Sequence, residues 1–304
     1  FPFLKLPYLQ PNTTVDVFSF GSPEAGGYLD EKNKRIPLNA VFFGDNLHVL
    51  RALLSNSIGL IYIDPPFFSG RNYNQIWGDD NEVRTFRDIW EDGLPSYLVW
   101  LNARLWEMKR ILKNTGSIYV HCDWHASHYI KTEMDKIFGY ENFRNEIIWC
   151  YTAPNNTRAN FPRKHDCILL YTKSQIWTFN WEEVAIPYSE ETVARTFRGA
   201  GNTGLYLDKN PEEKHKNRLK AKGKIPEDWW IIPRIQGNGL ERIGYPTQKP
   251  EALLERIISA SSNKGDIVAD FFMGGGTTCT VAQKLNRRFI GCDISRVASS
   301  VALN

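Results

Sequence analysis

Leu60-Ile61-Tyr62-Ile63-Asp64-Pro65-Pro66-Phe67 is the stretch on which the fold turns. Ile58 to Ile63 is a continuous apolar run of strand length, the pattern of a strand buried on both faces. The two prolines end it, because proline has no N–H to give to a ladder. A carboxylate at the carboxyl end of a buried parallel strand faces the crevice in which open α/β sheets bind ligands. Phe67 then adds a stacking face. An acceptor, an exposed carbonyl and an aromatic plane together suit a flipped planar base. An ordinary proline turn at a strand end carries the same letters, so the tetrapeptide needs company before it specifies a reaction.

The flanking sequence supplies an α/β frame. Upstream, Ala40 to Phe43 reads as a short buried strand, and Asn46 to Leu54 has helical apolar spacing. Downstream, Ser96 to Leu112 is a helix whose stripe is Leu98, Leu101, Leu105, Met108, Ile111 and Leu112. Lys113-Asn114-Thr115-Gly116 is expected to cap it. Ser117 to His121 reads as a strand, Asp123 to Phe138 as a helix closed by Gly139, and Ile147 to Tyr151 and Cys167 to Tyr171 as two more strands. Such alternation implies a mostly parallel sheet covered on both faces. The pattern weakens between about 152 and 245 and resumes after Tyr245, with a helix from Pro250 to Ser262. The expected division is therefore an N-terminal arm at 1–38, a first half of the domain at 39–152, an insertion at 153–245 and a second half at 246–304.

The second half holds the other informative stretch. Asp266-Ile267-Val268-Ala269-Asp270-Phe271-Phe272-Met273-Gly274-Gly275-Gly276-Thr277-Thr278 is a strand entering a glycine turn and then a helix. Glycines let a ligand approach the backbone, and a helix start offers free N–H groups. Cys279 stands where the third glycine of a dinucleotide fingerprint would fall, and no Gly-Lys-Ser/Thr follows. Nicotinamide and nucleoside-triphosphate readings both weaken. The next strand, Phe289-Ile290-Gly291-Cys292-Asp293, ends in a carboxylate suited to ribose hydroxyls.

Together these residues resemble the amino-methyltransferase family of DNA methyltransferases. Asp64-Pro65-Pro66-Phe67 matches its catalytic motif, and Phe272-Met273-Gly274-Gly275-Gly276 matches its S-adenosylmethionine motif. Phe43-Gly44-Asp45-Asn46, Asn145-Glu146-Ile147-Ile148-Trp149 and Tyr245-Pro246-Thr247-Gln248-Lys249-Pro250 are similar to three further family segments. The catalytic motif precedes the cofactor motif, which is the order of the beta class. One departure is Phe271, where the family often has proline. The resemblance implies a Rossmann-like fold with a mostly parallel seven-stranded sheet flanked by helices. It also makes the insertion a target-recognition region.

The same resemblance implies roles. Phe67 stacks on the flipped base, while the Asp64 carboxylate and the Pro65 carbonyl accept hydrogen bonds from its exocyclic amine. That amine is a poor nucleophile because its lone pair is delocalised, and acceptors aimed at its hydrogens stabilise the positive charge that develops during attack. For the cofactor the candidates are Asp45 near the adenine, Asp293 at the ribose, and Asp270, Phe272, Gly274, Gly276, Thr277 and Thr278 around the loop. Thr247 and Lys249 join them, with Lys249 expected to pair with the methionine carboxylate. An aspartate at the head of the catalytic motif favours N6 of adenine; serine is usual for N4 of cytosine, which is the nearest alternative. A DNA-binding subunit without catalysis is the alternative from another class.

Composition fits without deciding. The 304 residues carry 37 basic and 34 acidic side chains, so the net charge of +3 does not announce a nucleic-acid binder. Local clusters are better candidates for contacts to double-stranded DNA: Lys214, Lys216, Arg218 and Lys220 in one run, and Arg158, Arg163 and Lys164 in another. Five scattered cysteines read as buried thiols of a reducing compartment. No transmembrane-length run is present, so a cytoplasmic location is the expectation, with a homodimer or a restriction–modification partner possible in principle. His121, His125 and His128 have helical spacing, but His121 ends a strand, so no metal is expected. Trp229-Trp230 reads as packing.

Overall fold

The computed structural model describes residues 16–19, 27–29, 35–69, 72–73, 86–87, 93–152, 157–188, 223–235, 239, 241–245, 247–295 and 298. In chain order the strands are β1 (Asp16–Ser19), β2 (Gly27–Leu29), β3 (Arg35–Pro37), β4 (Ala40–Phe43), β5 (Ile58–Ile63), β6 (Asn72–Tyr73) and β7 (Phe86–Arg87). They continue as β8 (Leu112–Cys122), β9 (Phe143–Cys150), β10 (His165–Thr172), β11 (Trp229–Ile231), β12 (Ile267–Asp270) and β13 (Arg288–Asp293). The helices are α1 (Asn46–Ala52), α2 (Gly93–Ile111), α3 (Ser127–Phe138), α4 (Glu251–Ser261) and α5 (Thr277–Lys284).

One sheet of nine strands runs β1-β4-β13-β12-β5-β8-β10-β9-β11. Its inner seven are the expected strands. β1, from the stretch expected to be an arm, adds an antiparallel edge on β4, and β11 adds a parallel edge on β9. The centre, β4 to β8, is all parallel, and β10 runs against both of its neighbours. The chain therefore closes the sheet from both ends: β12 and β13, from the last part of the chain, sit between β4 and β5, from the first.

Alternation along β5 explains the layers. Ile61 and Ile63 face the core shared with Val49, Leu101, Leu105, Met108 and Ile130 of α1–α3. Leu60 and Tyr62 face the core shared with Leu253, Ile257 and Val281 of α4 and α5. All six residues of β5 are buried, as a strand covered on both sides must be.

Three expectations are corrected. First, the insertion does not begin at 153. β10 lies between β8 and β9, so the sheet domain extends through Thr172, because the Cys167–Tyr171 run is paired on both edges. Second, Lys113–Gly116 does not cap a helix: α2 passes directly into β8 at Leu112. Gly116 is needed there for close approach, since a Cβ would lie 2.9 Å from the Gly59 carbonyl oxygen. Third, the N-terminal stretch is not only an arm, because β1 belongs to the sheet. The paired tryptophans do pack: Trp230 is buried with Trp149, whose indole N–H donates to Ile232 O at 2.8 Å, while Trp229 is exposed.

Candidate active site

Five parallel strands deliver their following residues to one rim. In spatial order these are Gly44-Asp45 after β4, Asp293 at the end of β13, the Phe271–Gly276 turn after β12, Asp64–Phe67 after β5 and Asp123-Trp124 after β8. β12 and β5 are neighbours at the centre. Segments some two hundred residues apart in sequence thus emerge side by side at the carboxyl edge, where α/β sheets bind ligands.

The Asp64 turn is held from several sides. Tyr97, fully buried on α2, donates its hydroxyl to Pro66 O at 2.7 Å. Phe68 adopts φ +58°, a left-handed conformation that costs a bulky residue roughly 1–2 kcal/mol. Its ring packs against Tyr97 at 5.8 Å, which offsets part of that. Lys249 pairs with Asp64 Oδ2, and both side chains are mostly buried. Asp64 Oδ1 is buried with no hydrogen-bond partner among the described residues. An orphaned carboxylate oxygen is costly unless something supplies a donor. Lys249 was expected at the cofactor's carboxylate; the structure sets its ammonium on Asp64 and 5.7 Å from the Phe67 ring centre.

The glycine turn is built against a second wall. Gly274 has φ +49°, and a Cβ there would lie 2.9 Å from Tyr245 Cε1. At Gly275 a Cβ would meet Ile243 Cδ1 at 2.6 Å. Gly276, in the left-handed conformation, caps α5. Asp270 lies behind the turn rather than in its mouth. Its oxygens accept from Thr278 Oγ1 at 2.6 Å and from Phe272 N at 3.0 Å. Burial pushes its carboxyl up to about 7 against those hydrogen bonds. Thr277 and Thr278 are buried with it. Phe272 is half-buried and tilts onto Trp100 at 5.7 Å.

Asp293 and Asp45 stand at the ends of adjacent strands, with Gly44 N bonded to Asp293 O at 3.0 Å. Asp293 accepts Gly274 N at 2.9 Å and Ser295 N at 2.8 Å, and burial raises its carboxyl despite these donors. Asp45 caps α1 through Leu47 N at 2.9 Å and pairs with Arg104 at 2.8 Å. Arg104, buried in the apolar stripe of α2, also donates to Asn46 Oδ1 at 2.7 Å, and Asn46 donates to Phe271 O at 2.7 Å. Burial draws this guanidinium down, opposed by Asp45. Thr247 is exposed next to Tyr245.

Beneath Phe67 lies a buried polar chain that sequence reading missed. His121 stacks on Phe67 at 5.8 Å. Its Nδ1 meets the Tyr62 hydroxyl at 2.8 Å, and its Nε2 lies 3.3 Å from Asp166 Oδ2. Tyr151 donates to Asp166 Oδ1 at 3.0 Å. Burial raises Tyr62, with Asp64 adding to the effect; burial also works to raise Asp166, but His121, Lys249 and Tyr151 together outweigh it and lower that carboxyl. The three histidines do not converge: His125 is bonded to Asp123, and His128 is exposed on α3. No group of three metal-ligating side chains occurs among the described residues. Of the expected DNA contacts, Arg158 and Arg163 are exposed and Lys164 is half-buried, with Arg163 over the Trp124 ring at this rim. Lys214, Lys216, Arg218 and Lys220 fall outside the described residues.

An acidic Pro-Pro-Phe turn set beside a glycine-rich loop, on a mostly parallel sheet closed from both chain ends, defines a beta-class amino-methyltransferase. The chain belongs to the N6/N4 DNA methylase family, whose model matches residues 58–304. It is 31% identical to the DNA adenine methyltransferase YhdJ of Escherichia coli (strain K12), over 84% of this chain and 78% of that protein. It is 32% identical to the type II methyltransferase M.HpaI of Haemophilus parainfluenzae, over 82% of this chain and 68% of that one. Among solved structures, the cytosine-N4-specific PvuII DNA methyltransferase shares the fold with a TM-score of 0.58 at 16% identity, covering 87% of this chain and 86% of its own. The M1.HpyAVI–SAM complex does so at 0.53 and 21%, covering 86% and 96%. No described helix is long and apolar enough to cross a membrane.

Proposed function

We propose that this protein transfers a methyl group from S-adenosylmethionine to N6 of a flipped-out adenine in duplex DNA. The single observation that carries the amine chemistry is Asp64 Oδ1, a buried acceptor with no partner among the described residues, beside a proline turn and an aromatic plane. Bound S-adenosylmethionine supplies an electrophilic methyl group on a sulfonium. The protein's own task is alignment and charge. Lys249 fixes one oxygen of Asp64 and leaves the other facing the amine. Oδ1 and the Pro65 carbonyl accept the amine hydrogens, which turns the nitrogen lone pair towards attack and stabilises the charge it gains. Phe67, backed by His121, keeps the base plane fixed.

The cofactor's fit rests on the same rim. The Gly274–Gly276 turn sits at that rim against Tyr245 and Ile243, and Asp293, which accepts Gly274 N, retains lone pairs for ribose hydroxyls. Asp64 at the head of the motif favours adenine, as does the name of the Escherichia coli relative. The deciding experiment is base-resolved mapping of modified DNA from cells expressing the wild type or Asp64→Ala. N6-methyladenine that depends on Asp64 is the expected result. Modified cytosine in its place would convert the reading to N4-cytosine transfer, and no Asp64-dependent mark would end it.

A further inference from the structure

Just beyond His121, the rim carries a stacked ladder that the reaction does not use. Asp123 Oδ2 holds His125 Nδ1 at 2.7 Å, and Asp123 Oδ1 accepts His125 N at 3.0 Å. The His125 ring stacks on Trp124 at 3.7 Å between centroids, 29° from parallel. The Arg163 guanidinium carbon lies 3.8 Å from the centre of the Trp124 ring. Trp124 is nevertheless 45% exposed, so the ladder stands in solvent rather than in the core. No carboxylate pairs with Arg163 among the described residues. A guanidinium stacked on an aromatic face keeps its N–H edge available while its rotamers are restricted.

We infer that Trp124 presents Arg163 as a preorganised clamp for a backbone phosphate of the DNA strand entering the Asp64 site. This rests on the DNA reading above and goes further by assigning the contact. Position supports it: Ile63 pairs with Val120, so Asp64 and the end of β8 lie side by side. Cys122 pairs with Cys167, which brings the residues just before β10 to the same edge. The loop bearing Arg163 also exposes Arg158 and leaves Phe161 97% exposed. Cations interleaved with open aromatic rings match a strand that has phosphates on one side and bases on the other. A fork held in place loses less entropy on binding than a free arginine does.

The test is anisotropy of the full chain on a fluorescein-labelled random duplex across a salt series, paired with methylation of unmodified genomic DNA. Arg163→Gln is expected to weaken binding about 10-fold and to reduce the slope of log K against log salt by about one. Trp124→Ala should weaken binding several-fold with the slope retained, and Trp124→Phe should restore it. In the Arg163→Gln background Trp124→Ala should add nothing, the sign that both act through one contact. Melting midpoints of the Trp124 variants should stay at the wild-type value. Wild-type affinity and slope in Arg163→Gln would overturn the clamp whatever methylation shows, as would additive losses. A wild type that binds duplex yet methylates none of the genomic DNA would refute the methyl-transfer reading and leave the clamp standing. A wild type that binds no duplex would sink both.

Discussion

The two oxygens of Asp64 differ in their surroundings, and the proposed chemistry rests on that difference. One is paired with Lys249; the other is buried with no donor among the described residues. Asp64→Asn keeps the shape and removes the charge, so turnover should fall at least about 100-fold while cofactor affinity, read by calorimetry, changes little. Tyr97 acts one step back. Tyr97→Phe removes the hydrogen bond to Pro66 O and should lower stability by about 1 kcal/mol in urea titration. It should also lower turnover, because the turn carrying Pro65 and Phe67 loses a fixed point. Asp64 and Phe67 could be proposed from the sequence because their types and spacing are tied to a strand end. Tyr97, His121 and Asp166 were not, since their partners lie 31, 59 and 45 residues away. A hint existed in Arg104: a charged residue between Leu101 and Leu105 on an apolar stripe needs a buried partner.

At the scale of elements, the β12–α5 turn works only with glycine. Gly274→Ala would place a methyl 2.9 Å from Tyr245 at a φ of +49°, and the wall formed by Tyr245 would have to shift. The expected outcome is loss of the thermal shift that S-adenosylmethionine gives the wild type. That shift corresponds to about 2.7 kcal/mol at a hundredfold excess over Kd, and Asp64→Asn should retain it. The sequence showed this strand, turn and helix correctly because their signals are local. It placed the end of α2 within one residue but started β8 at Ser117 instead of Leu112, because Lys113-Asn114-Thr115-Gly116 has the letters of a cap. Gly116 is required instead by the neighbouring backbone of β5, a contact that no local pattern records.

For the molecule as a whole, Asp270 links stability to pH. Its folded-state carboxyl lies at about 7, raised by burial from 3.8. The folded protein therefore binds this proton more tightly than the unfolded chain does. The stabilisation is complete below about pH 4 and is lost as pH rises through 7. Wild type should lose about 2–3 kcal/mol at this site between pH 5 and pH 8. Urea unfolding at both pH values checks it: the advantage of wild type over Asp270→Asn should shrink by that amount. Equal advantages at the two pH values would remove Asp270 from the account. Asp166, lowered against burial by His121, Lys249 and Tyr151 together, runs the other way and is present in both proteins, so the comparison cancels it.

The sequence by itself determined the family, because the Pro-Pro-aromatic turn and the glycine loop that mark it are each written in consecutive residues. It also determined the alternation that makes a parallel sheet. Only the tertiary structure decided that β10 sits between β8 and β9, that Lys249 stands on Asp64 and that Arg163 lies over Trp124. The reason is physical. Covalent neighbours fix turns and strands, but pairing between strands and between distant charges depends on which segments the closed sheet brings to one rim.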